Sequence, residues 1–132
     1  MPVVTALYAG LLGLLVIPIA MRAGLMRAKL NVSVGDGGNR ELLLAMRRHA
    51  NFAEWVPLAL LLVALLEMNI APKLPIHLLG ALLVLARISH ALALRADTMQ
   101  GVGRVLGAMG TAIVVAVSSV WLIVAFVMRI AT

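Results

Sequence analysis

The residues most suited to chemistry lie between Arg47 and Pro57. A helix turns by 100° per residue, so Asn51 lies about 40° and Glu54 about 20° from Arg47. The three side chains therefore form one narrow polar stripe of a cation, an amide and an anion. Such a stripe is either part of a ligand site or a structural ion pair between Arg47 and Glu54, joined through Asn51. The sequence alone leaves both interpretations open.

Three more polar residues fall within later apolar segments. Arg87 and His90 are three residues apart and share a helix face, and Arg104 begins the last apolar segment. Arg87 is equally suited to a site and to an interhelical salt bridge, for example with Glu54. His90 is either a site residue or a hydrogen-bonded packing residue.

The composition is that of a membrane protein. Hydrophobic residues make up 64% of the 132 residues and the mean hydropathy is +1.11, whereas soluble domains are roughly half apolar. Cysteine is absent, which excludes disulfides, thiolate metal sites and a protein thiol nucleophile. We expect no metal site, and any sulfur chemistry would need a ligand that brings the sulfur.

Four segments are long enough to cross a bilayer, which requires about 20 apolar residues per helix. They form one predicted domain over the whole chain and cover residues 3–21, 40–67, 74–94 and 103–128. A long polar loop, residues 22–39, follows the first segment, and the other connections are short. Short connections make successive helices antiparallel neighbours. The predicted fold is an all-α integral membrane protein, a four-helix antiparallel bundle.

The distribution of basic residues predicts the orientation. Of the 11 lysines and arginines, all but Lys73 and Arg129 flank the first and third connections, which places these connections in the cytoplasm. Because positive charges follow the first apolar segment and none precedes it, we expect a retained helix and both termini outside. The net charge of +6 then indicates anionic lipid headgroups or an anionic ligand, and no nucleic acid.

The antiparallel topology brings the polar residues of three helices into the cytoplasmic leaflet. A charge near the membrane centre costs about 2.5–3.5 kcal/mol even on lenient insertion scales, so such groups usually face a partner, a cavity or a ligand. The expected walls of a shared site are Arg47, Asn51, Glu54, Arg87, His90 and Arg104.

Several motifs together resemble the MAPEG family, the membrane-associated proteins in eicosanoid and glutathione metabolism. They are the basic loop ending in Gly-Asp-Gly-Gly-Asn, the run Arg-Arg-His-Ala-Asn-Phe-Ala-Glu-Trp-Val-Pro and the later Ala-Arg-Ile-Ser-His. The resemblance covers nearly the whole chain. It implies a homotrimer of four-helix protomers, with glutathione bound between neighbouring chains in the cytoplasmic leaflet.

The resemblance also implies a role for each matching residue. Arg47 would hold a carboxylate of glutathione and Glu54 its amino group, with Asn51 and Arg87 as further contacts. Arg104 would be the catalytic residue that stabilises the glutathione thiolate. Arg27, a basic residue at the cytoplasmic end of the first helix, would be a further contact, and His90, one of the expected walls of the shared site, completes the predicted glutathione-binding set.

The function implied is a glutathione-dependent transferase or peroxidase that acts on lipophilic electrophiles from the bilayer. The third-helix tyrosines of eicosanoid enzymes are replaced by His90 and Leu94, which leaves the hydrophobic second substrate unspecified. The alternative is a non-catalytic MAPEG-like scaffold that binds lipid or another ligand. A cation transporter and a bis-histidine haem subunit fit less well, because arginines surround Glu54 and His49 points away from the polar stripe.

Overall fold

The computed structural model describes residues 1–69, 72–93 and 101–131. These residues form four helices, α1 (Val3–Leu30), α2 (Arg40–Asn69), α3 (Lys73–Ala93) and α4 (Val102–Ile130). All four are long and apolar enough to cross a membrane. The chain is thus an all-α, multi-pass integral membrane protein, as predicted.

The first helix is longer than its sequence pattern indicated. The predicted end at residue 21 is wrong, because α1 continues to Leu30. Residues 22–30 are polar enough to resemble a loop, but alanine, leucine, methionine, arginine and lysine are strong helix formers. The helix ends at Asn31, which adopts the left-handed conformation with φ 54° and whose backbone N–H bonds to the Ala28 carbonyl. The true loop therefore begins only at Asn31.

Asn39, the last residue of that loop, caps the start of the second helix. The Asn39 Oδ1 atom accepts a hydrogen bond from the Leu42 backbone N–H at 3.0 Å, which is the role of an N-cap. Gly37 has a φ of 58°, and a side chain there would meet Val32. Glycine fits this position because it adopts positive φ without steric cost.

The other helix ends differ little from those predicted. α2 extends two residues further than expected, to Asn69, α3 begins at Lys73, and α4 runs from Val102 to Ile130. The predicted end of α3 at residue 94 and the connection 95–100 lie outside the described residues.

Contacts between helix ends show the antiparallel arrangement. The Glu67 carboxylate, near the end of α2, accepts hydrogen bonds from the backbone N–H groups of Val4 and Thr5, each at 2.8 Å. The Thr5 hydroxyl donates a further bond at 2.6 Å. These are N–H groups of the first turn of α1, which have no partner within the helix. Glu67 thus holds the start of α1 level with the end of α2.

The closest helix contact is between α3 and α4, where glycines of α4 face α3. A Cβ atom added to Gly107 would lie 2.6 Å from the Ala86 carbonyl oxygen and 2.7 Å from the His90 backbone nitrogen. Gly103 would similarly meet Ala93 at 2.8 Å. Gly103 and Gly107 thus allow α3 and α4 to approach closely, as small residues do in other membrane bundles.

Candidate functional site

The polar cleft is a depression of about 440 Å³ on the α2, α3 and α4 side of the bundle. Its polar lining comes from all three of these helices, and its other described walls are Leu43, Leu44 and Ala50. The polar residues that line it are Arg47, Asn51, Glu54, His90 and Arg104. Five of the seven predicted site residues therefore meet in one cleft.

The α2 stripe forms one wall of the polar cleft. Arg47 and Glu54 are exposed, and Asn51 between them is half-buried. Among the described residues, neither Arg47 nor Glu54 has an ion pair or hydrogen bond, so the structural ion pair considered from the sequence is not formed. The stripe therefore presents a guanidinium and a carboxylate that do not satisfy each other.

Arg87 lies behind this wall rather than in the cleft. Its side chain is 2% exposed, its Nη1 donates to the Asn51 Oδ1 at 2.9 Å and its Nη2 donates to the Gly107 carbonyl at 3.0 Å. The salt bridge to Glu54 considered from the sequence is not formed. Arg87 instead joins α2, α3 and α4 directly beneath the polar cleft.

The bond from Arg87 also fixes the orientation of the Asn51 amide. An arginine can only donate hydrogen bonds, so the amide oxygen must face Arg87. The Asn51 NH₂ group has no partner among the described residues and is available as a donor at the polar cleft, which Asn51 lines. This geometry defines the hydrogen-bonding character of the cleft wall.

His90 and Arg104 form the opposite side of the polar cleft. His90 is buried, with 7% of its surface exposed, and its backbone packs against Gly107. Arg104 lies in the first turn of α4 and is exposed. The close contact of α3 with α4 is what brings these two side chains to the same cleft.

Arg27 lies apart from the other predicted site residues. Its Nη1 donates to the Ser33 carbonyl at 3.0 Å and its Nη2 contacts the Met46 sulfur at 3.3 Å. It thereby fastens the loop after α1 to α2. Within one protomer, the structure does not bring Arg27 to the polar cleft.

An apolar groove adjoins the polar cleft. Its volume is about 330 Å³, and its described lining includes Trp55, Met109 and Thr111 beside Asn51 and Arg87. Asn51 lines both depressions, so the two are contiguous. This groove is not among the sequence predictions, although Trp55, one turn after Asn51 on α2, was a signal for it.

Metal-ligating side chains are not clustered in the described part of the chain. No group of three or more histidine, aspartate or glutamate side chains is placed to hold a metal ion there.

Residues 5–124 match the MAPEG family, which covers most of the chain and all four helices. The chain belongs to the MAPEG family. Its sequence is also 38% identical over 87 residues to the inner membrane protein YecN of Escherichia coli K12 and to the same protein of Escherichia coli O6:H1. Each match spans 66% of this chain and 66% of the relative. No solved structure matches the chain.

Proposed function

We propose that this MAPEG protein is a glutathione-dependent transferase or peroxidase that activates the glutathione thiolate toward lipophilic electrophiles. The observation that carries the proposal is the convergence of Arg47, Asn51, Glu54 and Arg104 on one cleft. Glutathione has two carboxylates, one ammonium group and a thiol, so a matching site needs several cations and one carboxylate. The polar cleft has that composition.

The charges of the cleft match charged groups of the peptide. Arg47 binds a carboxylate, and Glu54 binds the ammonium group. Charge-assisted hydrogen bonds of this kind are about twice as strong as neutral ones. The Asn51 NH₂ group donates to a carbonyl or carboxylate oxygen of the peptide. These contacts hold the tripeptide along α2.

Arg104 activates the sulfur. A free thiol of this kind has a pKa of about 8.5, so it is mostly protonated at neutral pH. A guanidinium beside the sulfur lowers that pKa and raises the thiolate fraction. The thiolate then attacks an electrophilic carbon, a C–S bond forms, and the displaced electron pair leaves with the departing group or takes up a proton. No protein nucleophile is needed.

Arg87 acts in this proposal as a positioning residue. It does not line the polar cleft, but it fixes the Asn51 amide through a 2.9 Å hydrogen bond. Its second bond, to the Gly107 carbonyl, ties that amide to the same helix that carries Arg104. The distance between the peptide-binding and thiolate-stabilising groups therefore depends on Arg87.

The second substrate is a lipophilic molecule that enters from the bilayer. The apolar groove supports this, because it opens next to Asn51 and is lined mainly by apolar side chains. The proposed assembly is a homotrimer with the cleft in the cytoplasmic leaflet, both termini on the other side, and a neighbouring chain covering the cleft. Arg27 belongs to the glutathione site only through such a neighbour.

The test is an ultraviolet difference spectrum of the purified protein titrated with glutathione near neutral pH. We expect a thiolate absorption band that saturates, persists in the matched control Arg40→Gln and disappears in Arg104→Ala. Arg40 is an exposed arginine at the start of α2 that does not line the cleft. A folded wild-type protein without the band would contradict the proposed activity.

The same experiment separates the enzyme from the scaffold alternative. A non-catalytic MAPEG protein would bind its ligand without forming a thiolate, so Arg104→Ala would leave binding and biological effect unchanged. Saturable glutathione binding without the thiolate band would therefore favour the scaffold. No observation on the structure favours that alternative over the enzyme.

A further inference from the structure

A second basic site lies on α1, outside the polar cleft. A groove of about 430 Å³ follows one face of the helix and is lined by Pro18, Met21, Arg22, Leu25, Met26 and Lys29. These positions recur every three or four residues and so share one helix face. The groove combines an apolar floor with two cations. We propose that it binds one anionic phospholipid, with the phosphate between Arg22 and Lys29, the glycerol ester region against Leu25 and Met26, and an acyl chain along Met21 and Pro18.

The depth of the two cations matches that of a lipid phosphate. Arg22 lies about 29 Å along α1 from Val3 at 1.5 Å per residue, which is about the thickness of the hydrocarbon core. Lys29 lies about 10 Å further along. Arg22 is therefore at the edge of the hydrocarbon and Lys29 among the headgroups, with Met21 and Pro18 on the hydrocarbon side.

Among the described residues, no anionic side chain lines the groove. Within the described residues, neither Arg22 nor Lys29 makes a hydrogen bond or an ion pair. Arg22 also repels Arg48 of α2, whereas Glu41 attracts Arg48. The buried Nε of Arg48 has no hydrogen-bond partner. A phosphate next to Arg22 would offset the repulsion between the two arginines.

The apolar floor of the groove fits a phospholipid better than a soluble phosphate. The Leu25 side chain is 65% exposed and that of Met21 56% exposed, and both face the groove. The glycerol ester region and acyl chain of a lipid cover such surfaces, whereas inorganic phosphate or a sugar phosphate would leave them bare. A zwitterionic phospholipid fits less well, because its choline group would meet two cations. Charge complementarity therefore selects an anionic lipid.

The experiment is native mass spectrometry of the whole protein after exchange into detergent with dioleoylphosphatidylglycerol or dioleoylphosphatidylcholine. We expect the wild type to retain phosphatidylglycerol at least about ten times more than phosphatidylcholine, the factor that corresponds to about 1.4 kcal/mol. Arg22→Gln with Lys29→Gln should abolish that preference, whereas Arg40→Gln should preserve it. Glycerol 3-phosphate should not displace the lipid.

Either of two outcomes of this main experiment would overturn the site. Equal retention of the two lipids by the wild type would show that the basic residues contact the membrane surface without selecting a lipid. An equal loss in Arg40→Gln would show that only total charge matters.

If the double variant does not fold, Arg22→Lys and Met26→Asp replace it. We then expect retention in Arg22→Lys and loss in Met26→Asp, and retention of the lipid by Met26→Asp would contradict the site.

Discussion

Asn51 is the residue at which the two sides of the site meet. Its amide oxygen accepts a bond from the buried Arg87, and its NH₂ group is left for the polar cleft. In the proposed glutathione complex, a residue with this geometry transmits the position of α3 to the ligand on α2. Asn51 and Arg87 should therefore act as one unit.

The coupling of this pair is measurable in glutathione kinetics. Arg87→Lys retains the charge but replaces the two-pronged guanidinium, which bonds to Asn51 and Gly107 through separate nitrogens, by a single shorter-reaching nitrogen, so the Asn51 amide is held less firmly. We expect the KM for glutathione to rise about tenfold or more, the range for one hydrogen bond to a charged group. The kcat should change less, because Arg104 is unaltered.

The double variant tests whether the two residues are coupled. Asn51→Ala alone should raise the KM by a similar factor, and adding Arg87→Lys should raise it little further, because residues in one network do not contribute additively. Additive effects would contradict the positioning role of Arg87.

Glu54 should determine whether the ligand needs an amino group. Glu54→Gln retains the shape of the side chain and removes its charge. We expect the wild type to bind glutathione at least about tenfold better than an analogue without the α-amino group, which corresponds to about 1.4 kcal/mol. In competition binding the variant should lose this preference, whereas Glu41→Gln, changed at an exposed position of α2, should retain it. Equal discrimination by Glu54→Gln would refute the assignment.

The α2 part of the site could be predicted from the sequence, but the contacts behind it could not. Arg47, Asn51 and Glu54 share a stripe because helical periodicity alone places them together. The partners of Arg87 depend on how three helices pack, and no local pattern encodes a backbone acceptor such as the Gly107 carbonyl. Similarly, nothing local to Arg27 indicates that it bonds to Ser33.

At the scale of helices, the glycines of α4 set the distance between α3 and α4. Gly107 is both the point of closest approach and the carbonyl acceptor for Arg87. The helix separation and the position of the Arg87 guanidinium therefore depend on the same residue.

A pair of glycine substitutions tests this dependence. Gly107→Ala adds a Cβ about where the Ala86 carbonyl and the His90 backbone lie, at 2.6 and 2.7 Å, so α3 and α4 must separate. We expect a lower melting temperature together with weaker glutathione binding. Gly13→Ala is the matched control, because nothing lies within 4 Å of its added Cβ. It should stabilise α1 slightly, since alanine is favoured over glycine in helices by about 1 kcal/mol. Similar effects of the two changes on binding would contradict the account.

Helix number was easier to predict than helix length. Four apolar runs suffice to count four helices, because hydropathy reports membrane burial. The end of α1 could not be found in this way, because its last two and a half turns contain Arg22, Arg27 and Lys29 and lie beyond the apolar run. Hydropathy marks where the hydrocarbon ends, whereas the helix continues until Asn31 terminates it.

For the molecule as a whole, the placement of basic residues predicts which end of the bundle faces the cytoplasm. The loop from Asn31 to Asn39 and the polar cleft belong to the more basic end, and Lys73 belongs to the other. The protein has no cysteine, so single introduced cysteines report on position without further changes.

Labelling of two such variants tests the orientation. In sealed, right-side-out vesicles an impermeant maleimide should modify Lys73→Cys, and Asp36→Cys should react only after the vesicles are opened. Asp36 lies in the basic loop, and Lys73 is the first residue of α3. The reverse pattern would place the polar cleft on the non-cytoplasmic side.

The binding of glutathione to the polar cleft is the central claim, and isothermal titration of the purified protein tests it most directly. We expect saturable binding in the wild type and in Arg40→Gln, and at least about tenfold weaker binding in Arg47→Gln, a loss of about 1.4 kcal/mol. Heat signals without saturation in a folded wild-type sample, or equal affinity in Arg47→Gln, would contradict the claim.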